Sequence, residues 1–219
     1  MKYSPGAERC PLPYSPFKSC TVPRPIGWLS SRSVAGVENI APYSQWQNLT
    51  FDPPMVMFAA NRYPDGRRKD TVLNAEETGW FVWNMATFAL REAVNISAMA
   101  LPPEESEFDR IDVTRIYSDN GAVPMVKESP CKFECRYLST HTMRGASNHG
   151  TVDVVFAQVE TIHIDDQVIR PDGRLDITAI EPIARLGYFD YTVIRETFEM
   201  RVPGSDADAQ AGLEGRGGK

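Results

Sequence analysis

The step Lys69-Asp70-Thr71, with Arg67 and Arg68 just before it, gathers cations and a hydroxyl where a helical pattern begins. A phosphate is held by such a set: a cation, hydroxyl and amide donors, and the positive end of a helix. The same triplet also reads as a helix cap beside a solvated lysine. Earlier in the chain, the run Asn39-Ile40-Ala41-Pro42-Tyr43-Ser44 offers a different chemistry. Pro42 lies inside a strand-like stretch and cannot donate a ladder hydrogen bond, so the backbone there is bulged or at an edge. Main-chain groups freed in this way, beside Tyr43, Ser44 and Trp46, suit a flat heterocycle with a polar rim. Lys69 and Thr71 would suit the phosphate of such a ring system.

The elements that must position these residues follow from spacing. Strand-like stretches at 26–33 and 38–48 flank the turn Val34-Ala35-Gly36-Val37, where Gly36 supplies the positive φ of a tight connection. Residues 54–60 are an apolar run that predicts a buried strand. A helix is predicted over 70–77, ended by Thr78-Gly79, followed by a strand over 80–85 and a second helix over 89–98. Residues 101–112 are polar, acidic and partly helical in pattern. Strands are predicted over 133–143 and 151–164, the second covered on both faces in places because both alternating sets contain apolar residues. Pro171-Asp172-Gly173 is a turn. Residues 1–22 are proline-rich but contain Leu12, Tyr14 and Phe17, which predicts an arm lying over the body. From Gly204 onward no apolar spacing remains, and a disordered tail is expected over 204–219. Six or seven strands in hairpin-like groups, against two or three short helices, predict one mainly antiparallel β-barrel domain over 1–203 rather than a doubly wound sheet.

Composition narrows the function. The 219 residues carry a formal net charge of -6, which gives no global attraction to nucleic acid or an anionic membrane. No apolar run approaches the roughly 20 residues needed to span a bilayer. The first residues lack the apolar core of an export signal, so a cytoplasmic protein is expected, and Asn48-Leu49-Thr50 and Asn95-Ile96-Ser97 are chance glycosylation patterns. Cys10, Cys20, Cys131 and Cys135 are too few and scattered for a disulfide framework. Cys131 and Cys135 share a strand face without a histidine at zinc spacing; they read as packed thiols, and no metal is expected. No Gly-x-Gly-x-x-Gly turn marks a dinucleotide domain. No hydrolytic triad or carboxylate pair is evident, and Glu104-Glu105 and Asp165-Asp166 read as solvated turns. His141 and His163 fall in strand-like runs that favour packed or surface roles; His149 follows Asn148 in a loop.

Several fragments occur in a telling order: Pro23-Arg24-Pro25-Ile26-Gly27-Trp28, Asn39 to Ser44, Asp52-Pro53-Pro54-Met55-Val56-Met57-Phe58, Lys69-Asp70-Thr71, Glu76-Glu77-Thr78-Gly79, Asn148-His149 and Pro182-Ile183-Ala184-Arg185. Across residues 14–195 this pattern resembles the flavin reductase-like family, in its flavoredoxin and flavoprotein-oxygenase branch. The resemblance implies an FMN-binding split β-barrel of antiparallel, Greek-key type with a few short α-helices. It implies FMN in a groove along the barrel, at a homodimer interface. Ser30, Ser31 and Arg32 would line the ribityl and phosphate side. Asn39, Ala41, Pro42, Tyr43 and Ser44 would hug the isoalloxazine edge, with Trp46, Asn48 and Asn61 in the same cradle. Lys69, Asp70 and Thr71 would hold the phosphate. Asn148 and His149 would lie near the open face of the flavin, where His149 contacts the nicotinamide or tunes the reduced ring. His149 reads equally as a loop residue capping the strand from Thr151.

The activity implied is an NAD(P)H-dependent flavin oxidoreductase, with NADH or NADPH as a transient donor and a partner monooxygenase as recipient of reduced FMN. An electron carrier in the flavoredoxin manner, reduced by a partner protein, needs the same cradle, and so does a flavoprotein acting on a small organic substrate. Two departures stand out. Ala157 replaces a common glycine, where a methyl group would narrow the groove. Gln45-Trp46 replaces an aromatic pair, and Trp46 equally reads as a barrel-core side chain.

Overall fold

The computed structural model describes residues 1–200 and Pro203, so the tail expected over 204–219 lies outside the described residues. The first strands are β1 (Arg24–Pro25), β2 (Gly27–Arg32), β3 (Glu38–Tyr43), β4 (Trp46–Phe51) and β5 (Pro54–Asn61). Helix α1 (Asp70–Thr78) leads into β6 (Trp80–Asn84), and α2 (Arg91–Ile96) into β7 (Arg115–Tyr117) and β8 (Pro124–Val126). The long strands β9 (Cys131–Met143) and β10 (Val152–Ile164) follow, then α3 (Ile177–Ile180), β11 (Ile183–Gly187) and β12 (Asp190–Val193).

Seven strands form one antiparallel sheet in the order β3-β2-β6-β9-β10-β5-β4. Its two ends, β3 and β4, are separated in sequence only by Ser44 and Gln45. A connection that short forces the sheet to curl until its ends approach. The Gln45 carbonyl accepts from the Ala59 amide at 2.9 Å, and the rings of Tyr43 and Phe58 meet at 5.3 Å. The ends approach without pairing, which is a split β-barrel.

The single stretch expected over 38–48 is therefore two strands on opposite edges. Pro42 sits on edge strand β3 opposite Trp28, and the β2–β3 register runs without a bulge, so the edge alternative holds. The helix expected over 89–98 shortens to α2, and 101–112 yields only a 3-10 turn at Glu107–Asp109. Pro102 and Pro103 deny that segment the amide donors a longer helix needs. Gly79, at φ +81°, ends α1 in the left-handed conformation.

Leu29, Trp46, Phe58, Phe81 and Val155 fill the barrel, with Trp46 stacked on Trp83 at 5.7 Å and 3°. Gly27 makes room for Trp46: a Cβ there would lie 3.0 Å from the Trp46 Cβ. Trp46 is a core side chain. Cys131 and Cys135 pack in the same core. Ala157 is also wholly buried there, opposite Val56 and Tyr137, so its methyl group fills the core and does not narrow a groove. A second cluster, with Trp28, Ile40, Val94 and Phe108, fixes α2 and the Glu107 turn against β3. Residues 1–22 touch the body where Tyr14 meets Tyr188 at 5.8 Å, while Leu12, Tyr14 and Phe17 stay exposed. Among the described residues no helix is long and apolar enough to cross a membrane.

Candidate cofactor site

The free edge of β3 is one wall of a cleft. The Ile40 amide turns away from β2 and donates to Glu107 Oε2 at 3.2 Å; Asn39 Nδ2 donates to the same oxygen at 3.0 Å. Pro42 lies two residues on, on the same side of the strand, so its missing N–H costs no ladder bond. The carbonyls of Ile40 and Pro42 share that outward direction.

The N-terminus of α1 is the opposite wall. Lys69 is its N-cap residue, with extended backbone (φ -73°, ψ 141°) and no side-chain cap. Thr71 does not cap the helix, and the Asp70 carboxylate reaches only its own amide. The Val72 and Leu73 amides bond to the Lys69 carbonyl at 3.0 and 3.2 Å, which leaves the Asp70 and Thr71 amides without a carbonyl acceptor inside the helix. Lys69 Nζ lies 3.4 Å from the centroid of the Tyr63 ring, and among the described residues no carboxylate pairs with it. Burial pulls the Lys69 pKa below the ordinary lysine range and pushes Asp70 and Glu107 above the ordinary carboxylate range.

A buried chain of hydrogen bonds ties the two walls together. Thr71 Oγ1 donates to Asn39 Oδ1 at 2.7 Å and accepts from the Tyr43 hydroxyl at 3.0 Å. Ser31 Oγ donates to Asn39 Oδ1 at 3.3 Å and accepts from Asn74 Nδ2 at 3.0 Å. The Thr71 hydroxyl is thus engaged in holding α1 to β3, and its amide faces the helix start.

The cleft gathers Asn39, Ala41, Pro42, Tyr43, Lys69, Asp70 and Thr71 from the expected set, with Tyr63, Glu107 and the Ser97–Ala100 corner after α2. Ser31 lies one bond behind the wall. Ser30 is on the other face of β2, donating to the Pro124 carbonyl at 2.5 Å. Arg32 stands at the Gly36 turn with Thr78 and Gly121. Ser44 is half-buried at the β3–β4 turn, and Asn48 is exposed on β4, accepting from Gln47 Nε2 at 2.7 Å. Ser30, Arg32, Trp46 and Asn48 therefore stand apart from the Lys69 cleft.

Asn148 and His149 sit in the β9–β10 hairpin loop, against the segment 62–68 that also carries Tyr63. Asn61 Nδ2 donates to the His149 carbonyl at 3.1 Å, and Asn148 Nδ2 to the Pro64 carbonyl at 3.4 Å. His149 Nδ1 lies 3.0 Å from the Arg62 carbonyl. A carbonyl only accepts, so Nδ1 carries the proton and Nε2 is left for another partner. Neither Asn148 nor His149 lines the Lys69 cleft of the same chain.

One buried carboxylate braces this segment. Asp153, 1% exposed, accepts from Arg62 at 3.0 and 3.2 Å, from Arg68 at 3.1 Å and from Thr142 at 2.6 Å. Arg68 also forms a bidentate pair with Glu76 of α1 at 2.6 and 2.7 Å. Burial alone would raise the Asp153 pKa; the bonds from Arg62, Thr142 and Arg68 outweigh it and hold the carboxyl below the ordinary range. Lys69 is thus set between an anchored loop and an anchored helix.

Residues 19–190 match the profile of the flavin reductase like domain. The chain belongs to the flavin reductase-like family. Uncharacterized protein BH2278 of Halalkalibacterium halodurans is 34% identical over 203 residues, covering 93% of this chain and 97% of that protein. Nitrilotriacetate monooxygenase component B from Bacillus cereus superposes with a TM-score of 0.83 at 30% identity, covering 91% of this chain and 98% of that one. Flavoredoxin of Desulfovibrio vulgaris (Miyazaki F) shares the fold, with a TM-score of 0.70 at 18% identity and coverage of 93% and 99%.

Within this flavin reductase-like chain, Tyr63, Asn74, Glu107 and Asp153 belong to the site's framework but escaped the sequence reading. Asp153 carried a signal: it is a lone acid among Val152, Val154, Val155 and Phe156. Glu107 carried almost none, since it stands in the same acidic run as Glu104 and Glu105. Only its neighbour Phe108, a core residue, marks the turn as anchored.

Proposed function

We propose that the protein is a cytoplasmic FMN-binding oxidoreductase that takes hydride from NADH or NADPH and hands reduced FMN to a partner monooxygenase. One observation carries this reading: a half-buried lysine, without a carboxylate partner among the described residues, stands at the N-cap of α1 and faces the outer edge of β3. Lys69 and the first-turn amides of α1 fit a phosphate. The outward carbonyls of Ile40 and Pro42 fit the N–H on a flavin rim, and Tyr43 and Tyr63 supply the aromatic wall. FMN, once bound, would supply the hydride-accepting chemistry; the chain's part is to hold and orient it. Membership of the flavin reductase-like family and the likeness to a monooxygenase component B support the activity and the hand-off.

Anaerobic mixing of the FMN-loaded protein with NADH and with NADPH tests the reading. Bleaching of the oxidised flavin by either nucleotide within turnover times is expected. Reduction by a partner protein alone would instead assign an electron-carrier role. His149, with Nε2 free, is proposed to orient the nicotinamide from the neighbouring subunit. His149→Ala should keep FMN affinity within about twofold and slow flavin reduction about tenfold, the worth of one neutral hydrogen bond. Unchanged stopped-flow kinetics would return His149 to a loop-packing role.

The proposed neighbour is a second copy. On edge strand β4, Leu49 is 48% and Phe51 74% exposed, and Leu138 and Met143 are exposed on β9. An edge strand with apolar side chains in water is a template for pairing. Light scattering should give a dimer for the native chain and a monomer for Phe51→Glu. A native monomer, or a variant that stays dimeric, would remove this interface.

A further inference from the structure

A second cavity, of about 320 Å³, opens on the other side of α2, between that helix and the β11–β12 hairpin. It shares no lining residue with the Lys69 cleft, which takes no residue from α2 itself and only Ser97–Ala100 from the corner that follows it. Its size falls at the lower end of small-molecule sites.

Guanidinium groups lie on the aromatic faces that line it, Arg91 within the lining and Arg195 and Arg185 behind it. Arg91 and Arg195 both lie on the Phe88 ring, at 4.3 and 4.8 Å from its centroid. Arg185 lies 4.6 Å over Tyr191. Phe189 lines the cavity yet is 92% exposed, so its ring has almost no packing partner among the described residues. Phe189 is presented by a strained turn: Tyr188 before it has φ +49°, a left-handed conformation rarely held by an aromatic residue. Tyr14 packs on Tyr188, and Arg185 donates to the Tyr188 carbonyl, so two contacts hold the turn in that shape. Glu92 also lines the cavity. Its carboxylate is 75% exposed and 3.5 Å from Arg91, a loose surface pair; Arg91 Nη1 donates to the Phe88 carbonyl at 2.8 Å, which leaves the remaining N–H groups of the guanidinium for an anion.

We propose that this cavity is a second ligand site, for a planar aromatic ring that carries an anionic group. The ring stacks on Phe189, and the anion is met by Arg91; Arg195, paired with Glu181 at 2.7 Å, and Arg185, bonded to the Tyr188 carbonyl, brace the aromatic walls from behind. Asn95 supplies a neutral amide on the same rim. Two sources present this chemistry: the adenosine phosphate end of a nucleotide, and a small aryl carboxylate. The site stands on its own lining and does not depend on FMN.

Isothermal titration of the full chain, without FMN and then saturated with it, with 5′-AMP and with benzoate as probes, tests the proposal. At least one probe should bind saturably at millimolar concentrations, and FMN should not compete. Binding of 5′-AMP alone assigns the nucleotide source, and binding of benzoate alone the aryl acid. Phe189→Ala, at a position too exposed to affect folding, should weaken the bound probe about tenfold through lost stacking. Arg91→Ala should weaken it by a similar factor while FMN affinity is unchanged. Saturation by neither probe, competition by FMN, or wild-type affinity in both variants would overturn the site.

Discussion

Replacing Asp153 with alanine should lower the unfolding free energy by about 3–5 kcal/mol, because it leaves the partly buried Arg62 without a carboxylate and Arg68 with Glu76 alone. Arg62 and Arg68 are each only about a quarter exposed, at 26% and 25%, and cannot turn fully to water. Asp153→Asn keeps the shape and one acceptor and should cost less. The effect has a pH signature. The folded-state pKa of Asp153 lies below the ordinary value, so its contribution is present above the unfolded-state pKa of about 3.9 and is lost as pH falls through the lower folded-state value. Urea unfolding of both proteins across this range is the check. The variant should lose the part of the acid dependence that Asp153 supplies. A loss below about 1 kcal/mol, in the range of a surface pair, would mean that the loop 62–68 is held by something else.

Lys69→Ala should weaken FMN binding roughly tenfold to a hundredfold, equivalent to about 1.5–3 kcal/mol for a charge-assisted contact. Riboflavin, which has the ring system without the phosphate, should bind both proteins alike. The contrast between ligands separates a lost phosphate contact from a damaged fold, since damage would cost both. FMN affinity should also fall as pH rises through the Lys69 titration, which burial places below the ordinary lysine range. Equal losses for the two ligands would remove Lys69 from the phosphate site.

What could be read beforehand divides along a physical line. Hairpins and helix ends are set by local residues: Gly36 and Gly79 take the left-handed conformations their positions demand, at φ +87° and +81°. Pro42 announced a bulge or an edge because the lost donor is a property of the residue itself, and the unbroken β2–β3 register decides for the edge. The place of Lys69 at a helix start was legible because the helical pattern begins directly after it. The break at Ser44-Gln45 was not, since no glycine, asparagine or aspartate marks it and the turn is imposed by the barrel's need to bring β4 beside β5. Trp46 could not be placed because a tryptophan suits a core and a flavin pocket equally; its stacking on Trp83 decides for the core. Glu107 and Asp153 look like solvated acids until partners far away in sequence are known. Ile40 and Asn39 reach Glu107 across 67 and 68 residues, and Arg62 and Arg68 reach Asp153 across 91 and 85. Ser30 was misplaced toward the cleft because adjacent strand residues point to opposite faces, and the sequence does not say which serine faces which wall.

The most direct measurement is a crystal structure of the protein soaked or grown with FMN. The phosphate should lie within hydrogen-bonding distance of Lys69 Nζ and the first-turn amides of α1, with the ring edge along β3 between Ile40 and Ser44. A phosphate bound elsewhere, or a cleft that stays empty at saturating FMN, would contradict the account.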